Sequence, residues 1–282
     1  MPIIGRLVEF YRAQGIDICT GLSTVDFDGL PTAPFTRFFR DGRSVTEGLG
    51  IALQEVYFFE TLFATYRPRR VLIIGNSQGW STLAIGLLLP DSRVVAMDAA
   101  FADTEIAGIQ FTNRIATQYD VPVRAVKGVS PQDVSSVVDA ELGGSLDFAF
   151  IDGEHTNEQV VLDYKAVAGK ASSETVYLFH DVRLFHLFDG MRQIERMAGR
   201  IAHPLWGTPS GMMMLYDKGR HPELVKAVAP FVPSPEALAA VRREGWVHRH
   251  PHHARLRRSI VKRLNVLRRL AGAELLPLPL KT

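Results

Sequence analysis

The stretch VLIIGNSQGWST, residues 71–82, places four apolar residues directly before a polar loop that contains Gly75 and Gly79. A short apolar run of this kind is typical of a strand buried on both faces of a parallel sheet. A second apolar run begins after Ser81 and Thr82 and predicts a helix. The stretch therefore predicts a strand, a tight turn and a helix, with a backbone that a ligand can approach at the turn.

The rest of the chain repeats this alternation. The apolar runs predict strands over 70–74, 93–97, 121–126, 146–151 and 176–179, and the segments between them predict helices over 80–89, 103–119, 131–140 and 157–170. A further helix near 185–197 precedes two extended pieces around 201–205 and 211–216. We therefore expect an α/β fold: a Rossmann-like, doubly wound, mostly parallel sheet with a C-terminal antiparallel hairpin.

Polar residues follow each of the five predicted parallel strands. They are the loop 75–79, Asp98, residues 127–130, residues 152–155 and the pair His180 and Asp181. In a doubly wound sheet, ligands bind at the carboxyl ends of the strands, beside the point where the strand order reverses. Five clusters at five strand ends predict a binding site there.

Three interpretations compete for the first loop. A phosphate-binding P-loop needs a lysine after its last glycine, and here Trp80 follows Gly79. A dinucleotide-binding loop needs a second glycine where this chain has Ser77. A helix N-terminus remains, which suits a carboxylate as well as a phosphate. Asp98 ends the next strand about 20 residues later, where a carboxylate accepts hydrogen bonds from ribose hydroxyls.

A nucleoside together with a carboxylate describes S-adenosylmethionine. The segments GNSQGWS, VVAMD, FIDGEH and FHDV, in this order, resemble the class I S-adenosylmethionine-dependent methyltransferases, and the methyltransferase 24 family in particular, over about residues 50–216. They are also similar to the catechol-type, metal-dependent O-methyltransferases. We expect the loop amides to hold the amino-acid moiety and Asp98 the ribose. The predicted cofactor-binding residues are Gly75, Asn76, Ser77, Gly79, Trp80, Ser81, Asp98, Gly128, Ser130 and Asp152.

The chain departs from the family at two places. Ile73 stands where the family usually has an acidic residue, two positions before the first glycine. Val129 stands between Gly128 and Ser130, where an acidic residue is common. Backbone contacts remain available at both places because they depend on shape more than on side-chain charge.

Asp152, His155, His180 and Asp181 predict the chemistry of the site. Such a cluster at neighbouring strand ends can hold a divalent ion that lowers the pKa of a substrate hydroxyl. The resemblance implies Asp152, His180 and Asp181 as metal ligands and His155 as the base, with Asp152, His155 and His180 as the catalytic residues. Imidazole at position 180, where the relatives carry a carboxylate, disfavours Mg²⁺ and suits a softer first-row ion. Mg²⁺, Mn²⁺ and a softer first-row ion all stay open as the divalent metal. Imidazole there equally fits a site without metal, in which His180 exchanges protons.

Composition limits the remaining options. The single cysteine, Cys19, excludes a disulfide framework. Charged residues interrupt the N-terminal segment, and no apolar run approaches the length of a membrane span. We therefore expect a cytoplasmic protein. The formal net charge of +2 conceals an asymmetry, because residues 241–282 contain eleven Lys and Arg against two Glu, a net +9, and the remainder carries −7.

The sequence predicts three regions: an N-terminal helical cap and substrate lid over 1–46, the catalytic domain over 47–218 and a basic helical extension over 219–282. The segment ARLRRSIVKRLNVLRRLAG, residues 254–272, has apolar residues on one helical face. Such a helix can pack on its own domain or a sister subunit in a homo-oligomer, or lie on an anionic membrane surface. Nucleic acid is disfavoured because no aromatic residue lies among these charges.

The function that we expect from the sequence is methyl transfer to a hydroxyl of a small molecule, such as a sugar or a natural product. Two alternatives stay open: another metal-assisted reaction on the same fold, or a non-catalytic binding protein that uses the basic tail.

Overall fold

The computed structural model describes residues 2–27, 29–271 and 273–278. The chain divides into two compact units, Met1–Val232 and Pro233–Thr282. The first unit contains the whole N-terminal region together with the predicted catalytic domain. The second begins at Pro233, whereas the sequence predicted a basic extension from residue 219.

The N-terminal region is more regular than the sequence predicted. Helix α1 (Ile3–Arg12) is followed by a small antiparallel sheet of β1 (Asp17–Cys19), β2 (Arg37–Arg40) and β3 (Arg43–Ser44). The sequence predicted a helical cap and substrate lid over 1–46 and did not indicate this sheet. Its strands have two to four residues, too few for an alternation of apolar and polar residues to be visible.

A seven-stranded sheet forms the centre of the first unit. Helix α2 (Leu53–Thr65) precedes an alternating series: β4 (Arg70–Ile74), α3 (Trp80–Leu88), β5 (Arg93–Asp98), α4 (Asp103–Tyr119), β6 (Val123–Lys127), α5 (Val134–Leu142), β7 (Leu146–Ile151), α6 (Asn157–Ala168), β8 (Ala171–Phe179), α7 (Phe188–Ala198), β9 (His203–Leu205) and β10 (Met212–Leu215). The strand order is β6-β5-β4-β7-β8-β10-β9. The order reverses between β4 and β7.

The pairing confirms the predicted fold class. Strands β4 to β8 are parallel, β10 is antiparallel to β8, and β9 and β10 form the expected antiparallel pair. If the strands are numbered along the chain from β4 as 1, their order in the sheet is 3-2-1-4-5-7-6. Only strand 7, which is β10, runs opposite to the others. The predicted bounds of β4 and β7 agree with the structure to the residue, and β8 begins five residues before its predicted start.

Helices cover both faces of the sheet. One apolar cluster joins it to α1, α2, α3 and α4, and includes Phe59, Leu83 and Ile115. A second cluster joins the other face to α5, α6 and α7, through residues such as Val138 and Ile194. Both faces are buried, which explains why the strands read as continuous apolar runs.

The C-terminal segment is helical. Helix α8 (Pro222–Val228) and one 3₁₀ turn end the first unit, and α9 (Pro235–Arg249) and α10 (Pro251–Leu270) form the second. Contrary to the sequence analysis, one stretch of the described residues, Pro222–Val247, is long and apolar enough to cross a membrane by length and composition alone. The structure divides this stretch between α8, the 3₁₀ turn and α9, the longest of which has 15 residues.

Candidate active site

The carboxyl ends of the central strands lie in one row, joined by backbone hydrogen bonds. The four bonds run from Gly128 N to Asp98 O at 2.9 Å, Gly75 N to Met97 O at 2.9 Å, Asp152 N to Ile74 O at 2.9 Å, and His180 N to Ile151 O at 3.0 Å. The five polar clusters predicted from the sequence are therefore neighbours. The row crosses the point between β4 and β7 where the strand order reverses, which is the usual ligand position in such sheets.

The glycines of the first loop are required by neighbouring parts of the protein. Gly75 has φ +98°, and a Cβ atom there would lie 2.0 Å from the carbonyl oxygen of Asp152. Gly79 has φ +79°, and its Cβ would lie 2.1 Å from Thr112 Oγ1. L-residues rarely adopt such φ values, and real atoms do not approach so closely. Close contacts with β7 and α4 therefore explain these glycines without a ligand.

The carboxylate of Asp98 binds the same loop. Its Oδ2 accepts hydrogen bonds from Asn76 N at 2.8 Å and Ser77 N at 2.9 Å, and its Oδ1 accepts one from Ala100 N at 3.0 Å. Two amides expected to hold the amino-acid moiety thus donate to the residue expected to hold the ribose. A carboxylate has about four acceptor positions, so three bonds leave Asp98 capacity for one more donor.

Three of the six non-glycine residues with positive φ in the described part of the chain lie at these strand ends. Ser77, Ala100 and Asp181 have φ values of 46°, 47° and 56°, in the left-handed region that glycine favours. Each such residue costs of the order of 1–2 kcal/mol. Strain of this kind persists only where the surrounding structure enforces it, and such residues are often found at functional sites.

Side chains from three helices hold the loop in place. Asn76 Nδ2 donates to Thr112 Oγ1 of α4 at 3.1 Å, and its Oδ1 accepts from Thr82 Oγ1 of α3 at 3.0 Å. Tyr11 of α1 donates its hydroxyl to the carbonyl oxygen of Gln78 at 2.7 Å. The N-terminal helix is therefore part of the support of the predicted cofactor loop.

Two other predicted cofactor-binding residues, Trp80 and Ser81, are buried. The indole ring of Trp80 is buried in the core between Tyr11 and Phe38, with ring centroids 5.3 Å and 6.1 Å away, so it does not line the cleft. Ser81, in the first turn of α3, is buried as well. The prediction of a cofactor contact by the Trp80 ring therefore has no support in the structure, because α1 and β2 supply its aromatic partners.

Gly128 and Ser130 belong to a turn that is held by hydrogen bonds to Asp133 and Asp163. Val129 N donates to Asp133 Oδ2 at 2.8 Å, and Ser130 Oγ donates to Asp163 Oδ1 at 2.5 Å. Burial of Asp163 outweighs its hydrogen bonds and raises the pKa of its carboxyl group. The hydroxyl of Ser130 is thus engaged within the protein, and its carbonyl oxygen accepts a hydrogen bond from Gln159 Nε2 at 2.9 Å.

The predicted chemistry residues converge into one cluster. His155 Nε2 lies 3.5 Å from Asp152 Oδ1 and 3.2 Å from Asp181 Oδ2. His180 Nδ1 lies 2.9 Å from Asp152 Oδ1 and 3.3 Å from Asp181 Oδ1. Phe185 stacks on the His155 ring with centroids 4.3 Å apart. Residues that are distant in the sequence thus form a compact group of two carboxylates and two imidazoles.

A fifth member, Glu55, was not predicted. It is fully buried on α2, and its Oε2 lies 3.1 Å from His180 Nε2 and accepts from Ala52 N at 2.9 Å. Its Oε1 accepts from Ser210 N at 3.0 Å and from the Ser210 hydroxyl. The sequence carried one signal, since Glu55 falls at helical spacing among Phe58, Phe59 and Leu62 on an apolar face.

The charges in the cluster stabilise one another. Burial opposes ionisation of Asp152, but the charge on His180 and the close approach of the His155 and His180 rings outweigh it and lower the pKa of Asp152 to about 2. Burial also opposes the charge on His180, and Asp152, Glu55 and Asp181 together raise its pKa well above the usual value. The same balance lowers the pKa of Glu55 and raises that of His155.

The donor set fits a divalent metal ion. His155 Nε2, His180 Nδ1 and Asp181 Oδ1 are buried without an aligned hydrogen-bond partner, although buried polar atoms are normally bonded. Ligand atoms of Asp152, His155 and Asp181 lie within 4.8 Å of one another. Ligands at about 2.1 Å from an ion are about 3.0–3.4 Å apart, similar to the distances above. Imidazole with carboxylate suits a first-row transition ion.

The sheet order, with one reversed strand beside five parallel ones, and the motifs at its strand ends define the class I S-adenosylmethionine-dependent methyltransferase fold. Residues 72–182 match the family model Methyltransf_24, described as a methyltransferase domain. This match spans the loop 75–79, Asp98 and the cluster up to Asp181. It confirms the family resemblance that the motifs indicated.

Solved structures with a similar fold include several methyltransferases. A putative O-methyltransferase from Klebsiella pneumoniae is 17% identical, with 77% of this chain and 90% of that chain covered and a TM-score of 0.49. The O-methyltransferase TomG from Streptomyces achromogenes, in complex with S-adenosylmethionine, is 16% identical, with 74% and 88% covered and a TM-score of 0.48. A putative caffeoyl-CoA O-methyltransferase from Staphylococcus aureus is 14% identical, with 57% and 81% covered and a TM-score of 0.47. No curated protein matches the sequence significantly.

Proposed function

We propose that this protein transfers a methyl group from S-adenosylmethionine to a hydroxyl group of a small molecule, such as a sugar or a natural product, with the help of a divalent ion. One observation carries the proposal. The Asp98-bound loop of the methyltransferase domain and the Asp152, His155, His180 and Asp181 cluster lie side by side along the row of strand ends. A donor bound by the loop and an acceptor held at the cluster would therefore be adjacent.

The chain's own residues divide the work of the reaction. Asp98 and the loop over 75–79 bind the donor, and Gly128 contributes backbone at the same cleft. When bound, S-adenosylmethionine supplies a methyl group whose transfer forms an oxygen–carbon bond, breaks the sulfur–carbon bond and releases the hydroxyl proton. Asp152, Asp181 and His180 would hold the ion, which supplies positive charge to lower the pKa of the hydroxyl.

His155 is the proposed proton acceptor. Its side chain is 31% exposed, whereas that of His180 is 4% exposed, so only His155 reaches an acceptor in the cleft. Asp152 and Asp181 face its Nε2 and fix the orientation of the ring. This arrangement leaves Nδ1 to take the proton, as in dyads where a carboxylate orients a catalytic histidine.

Calorimetry with S-adenosylhomocysteine, with and without Mn²⁺, tests the donor site. We expect binding by the wild type, and a dissociation constant at least about tenfold higher for Asp98→Ala, since the variant loses the ribose acceptor and the anchor of the loop. Asp103→Ala, at the exposed start of α4, is the matched control and should bind as the wild type does. Absence of binding by the wild type under both conditions would exclude methyl transfer and favour a non-catalytic role.

The acceptor is found with methyl-labelled S-adenosylmethionine and a panel of catechols, phenols and sugars. Transfer to a hydroxyl that disappears in His155→Ala, while S-adenosylhomocysteine binding persists, supports the assigned base. Transfer to nitrogen only would show that the acceptor class is wrong. We further propose a cytoplasmic homo-oligomer. Sedimentation of the purified full chain tests the oligomeric state, and fractionation of cell lysates tests the location.

A further inference from the structure

Helix α10 exposes a continuous row of large apolar side chains. Its 20 residues span about 30 Å. The row, which we call the leucine stripe, consists of Leu256, Ile260, Leu264, Leu267 and Leu270, with exposed fractions between 42% and 81%. Apolar residues of a surface helix normally face the core. The leucine stripe does not, and exposed apolar surface of this extent marks an interaction site.

The opposite side of α10 faces its own chain with polar residues. Arg258, Val261, Asn265 and Arg268 are the partly buried positions along this side. Asn265 exchanges two hydrogen bonds with the backbone of Leu276, at 2.8 Å and 2.7 Å, and Arg268 Nε donates to the carbonyl oxygen of Glu274. The segment that follows the helix thus holds the polar side, and the leucine stripe points outward.

The charge of α10 has a single sign. Its sequence contains seven Lys and Arg and no Asp or Glu, whereas residues 1–240 carry a net −7. Exposed Arg257 lies at one edge of the leucine stripe, and exposed Lys262 and Arg269 lie on the side of the helix away from it. Arg263 falls within the stripe, and an arginine there can extend its guanidinium past apolar surface towards a polar layer.

Two kinds of partner fit these features poorly. A second copy of α10 would cover the leucine stripe but would bring seven positive charges against seven. A nucleic acid would match the charge but would leave the leucine stripe uncovered, and no Phe, Tyr or Trp lies within α10 for base stacking.

We propose that α10 binds the surface of an anionic lipid bilayer, with the leucine stripe at the boundary of headgroups and acyl chains and the basic residues on lipid phosphates. Of the three partners compared, the anionic bilayer matches both the apolar face and the positive charge of α10. Trp246 of α9, 41% exposed, is of the type that favours the headgroup region. The proposal concerns the C-terminal unit and does not depend on the proposed methyl transfer.

Vesicle co-sedimentation of the full chain tests this proposal. The vesicles are phosphatidylcholine alone, or phosphatidylcholine with about 30 mol% phosphatidylserine. We expect affinity at least about tenfold higher for the anionic vesicles, and a loss of most binding in about 0.5 M NaCl, which shortens the Debye length to about 4 Å. The double variant Leu264→Gln/Leu267→Gln should weaken binding about tenfold or more, because it removes apolar surface without a change of charge.

The matched control is Ala237→Gln/Ala239→Gln, two exposed positions on α9. It should bind vesicles as the wild type does. Far-UV circular dichroism checks that every variant keeps its helix content. Equal affinity for both vesicle types, absence of vesicle binding, or unchanged binding by the leucine variant would each overturn the proposal. Binding to a DNA duplex of about 20 base pairs that exceeds vesicle binding would show that charge alone selects a nucleic acid.

Discussion

The carboxylate of Glu55 and the imidazole of His180 are in contact at 3.1 Å, across 125 positions of sequence, inside a fully buried pocket. Glu55 faces Nε2, so Nδ1 of the same ring is directed at Asp152 and Asp181. A carboxylate on the far nitrogen of a histidine fixes its orientation and raises its strength as a ligand. Glu55 is therefore a positioning residue for the cluster.

Removing the charge of Glu55 tests that role. Glu55→Gln keeps the size of the side chain, but we expect it to lower Mn²⁺ affinity about 10- to 100-fold, as measured by titration calorimetry. Glu60→Gln, on the same helix and partly exposed, is the control and should keep wild-type affinity. A folded Glu55→Gln protein with unchanged Mn²⁺ affinity would contradict the assignment. An altered melting temperature alone would not support it.

Gly75 allows a second prediction, about stability. An alanine there adds a Cβ atom 2.0 Å from the Asp152 carbonyl at φ +98°, so we expect Gly75→Ala to lower the free energy of unfolding by about 3 kcal/mol or more. Gly143→Ala has a similar φ, +74°, with no atom within 4 Å of its Cβ, and should cost only about 1 kcal/mol. Urea denaturation measures both. Equal losses would mean that the approach of β7 to the loop is less close than described.

The strands of the central sheet could be predicted well because residues next to each strand in the sequence mark where it begins and ends. Strands β4 and β7 are buried runs with polar loops after them, and Arg69 before β4 and the segment 143–145 before β7 mark where they begin. The residues at the strand ends followed from topology alone, since parallel strands align their carboxyl ends.

Long-range contacts explain what the sequence did not reveal. Strand β1 has three residues and pairs with β2 about 20 positions later, so nothing local marks it. Glu55 owes its importance to Ser210 and His180, which are more than 100 residues away. Trp80 is a core residue because Tyr11 and Phe38 reach it from the N-terminal region.

Asp147 gives a prediction about pH. Partial burial opposes its ionisation, but hydrogen bonds from the Arg70 side chain and from the backbone amides of Arg70 and Arg69 outweigh that effect and lower its pKa. The unfolded carboxyl titrates near about 3.9. Its stabilising contribution is therefore complete above that pH and is lost as the pH falls through the lower pKa of the folded state.

We accordingly expect Asp147→Asn to lower the free energy of unfolding by about 1–2 kcal/mol at pH 7, with a smaller difference from the wild type below about pH 4. Asp139, paired with Lys170 and 54% exposed, provides the comparison. Asp139→Asn should change stability by less than about 0.5 kcal/mol, as exposed ion pairs contribute little. Urea unfolding of all three proteins at several pH values measures the effect, and a pH-independent difference would refute it.

Tyr11 links the N-terminal helix to the donor loop by a single hydroxyl. Tyr11→Phe removes the 2.7 Å hydrogen bond to Gln78 and leaves that carbonyl oxygen unpaired in a buried position. We expect a loss of about 1–2 kcal/mol in unfolding free energy, and a several-fold weaker affinity for S-adenosylhomocysteine, because the loop loses one of its supports. Tyr57→Phe, at a residue that is 61% exposed, should leave both quantities unchanged. A stability loss with unaltered affinity would show that α1 supports the fold of the loop region without shaping the donor site.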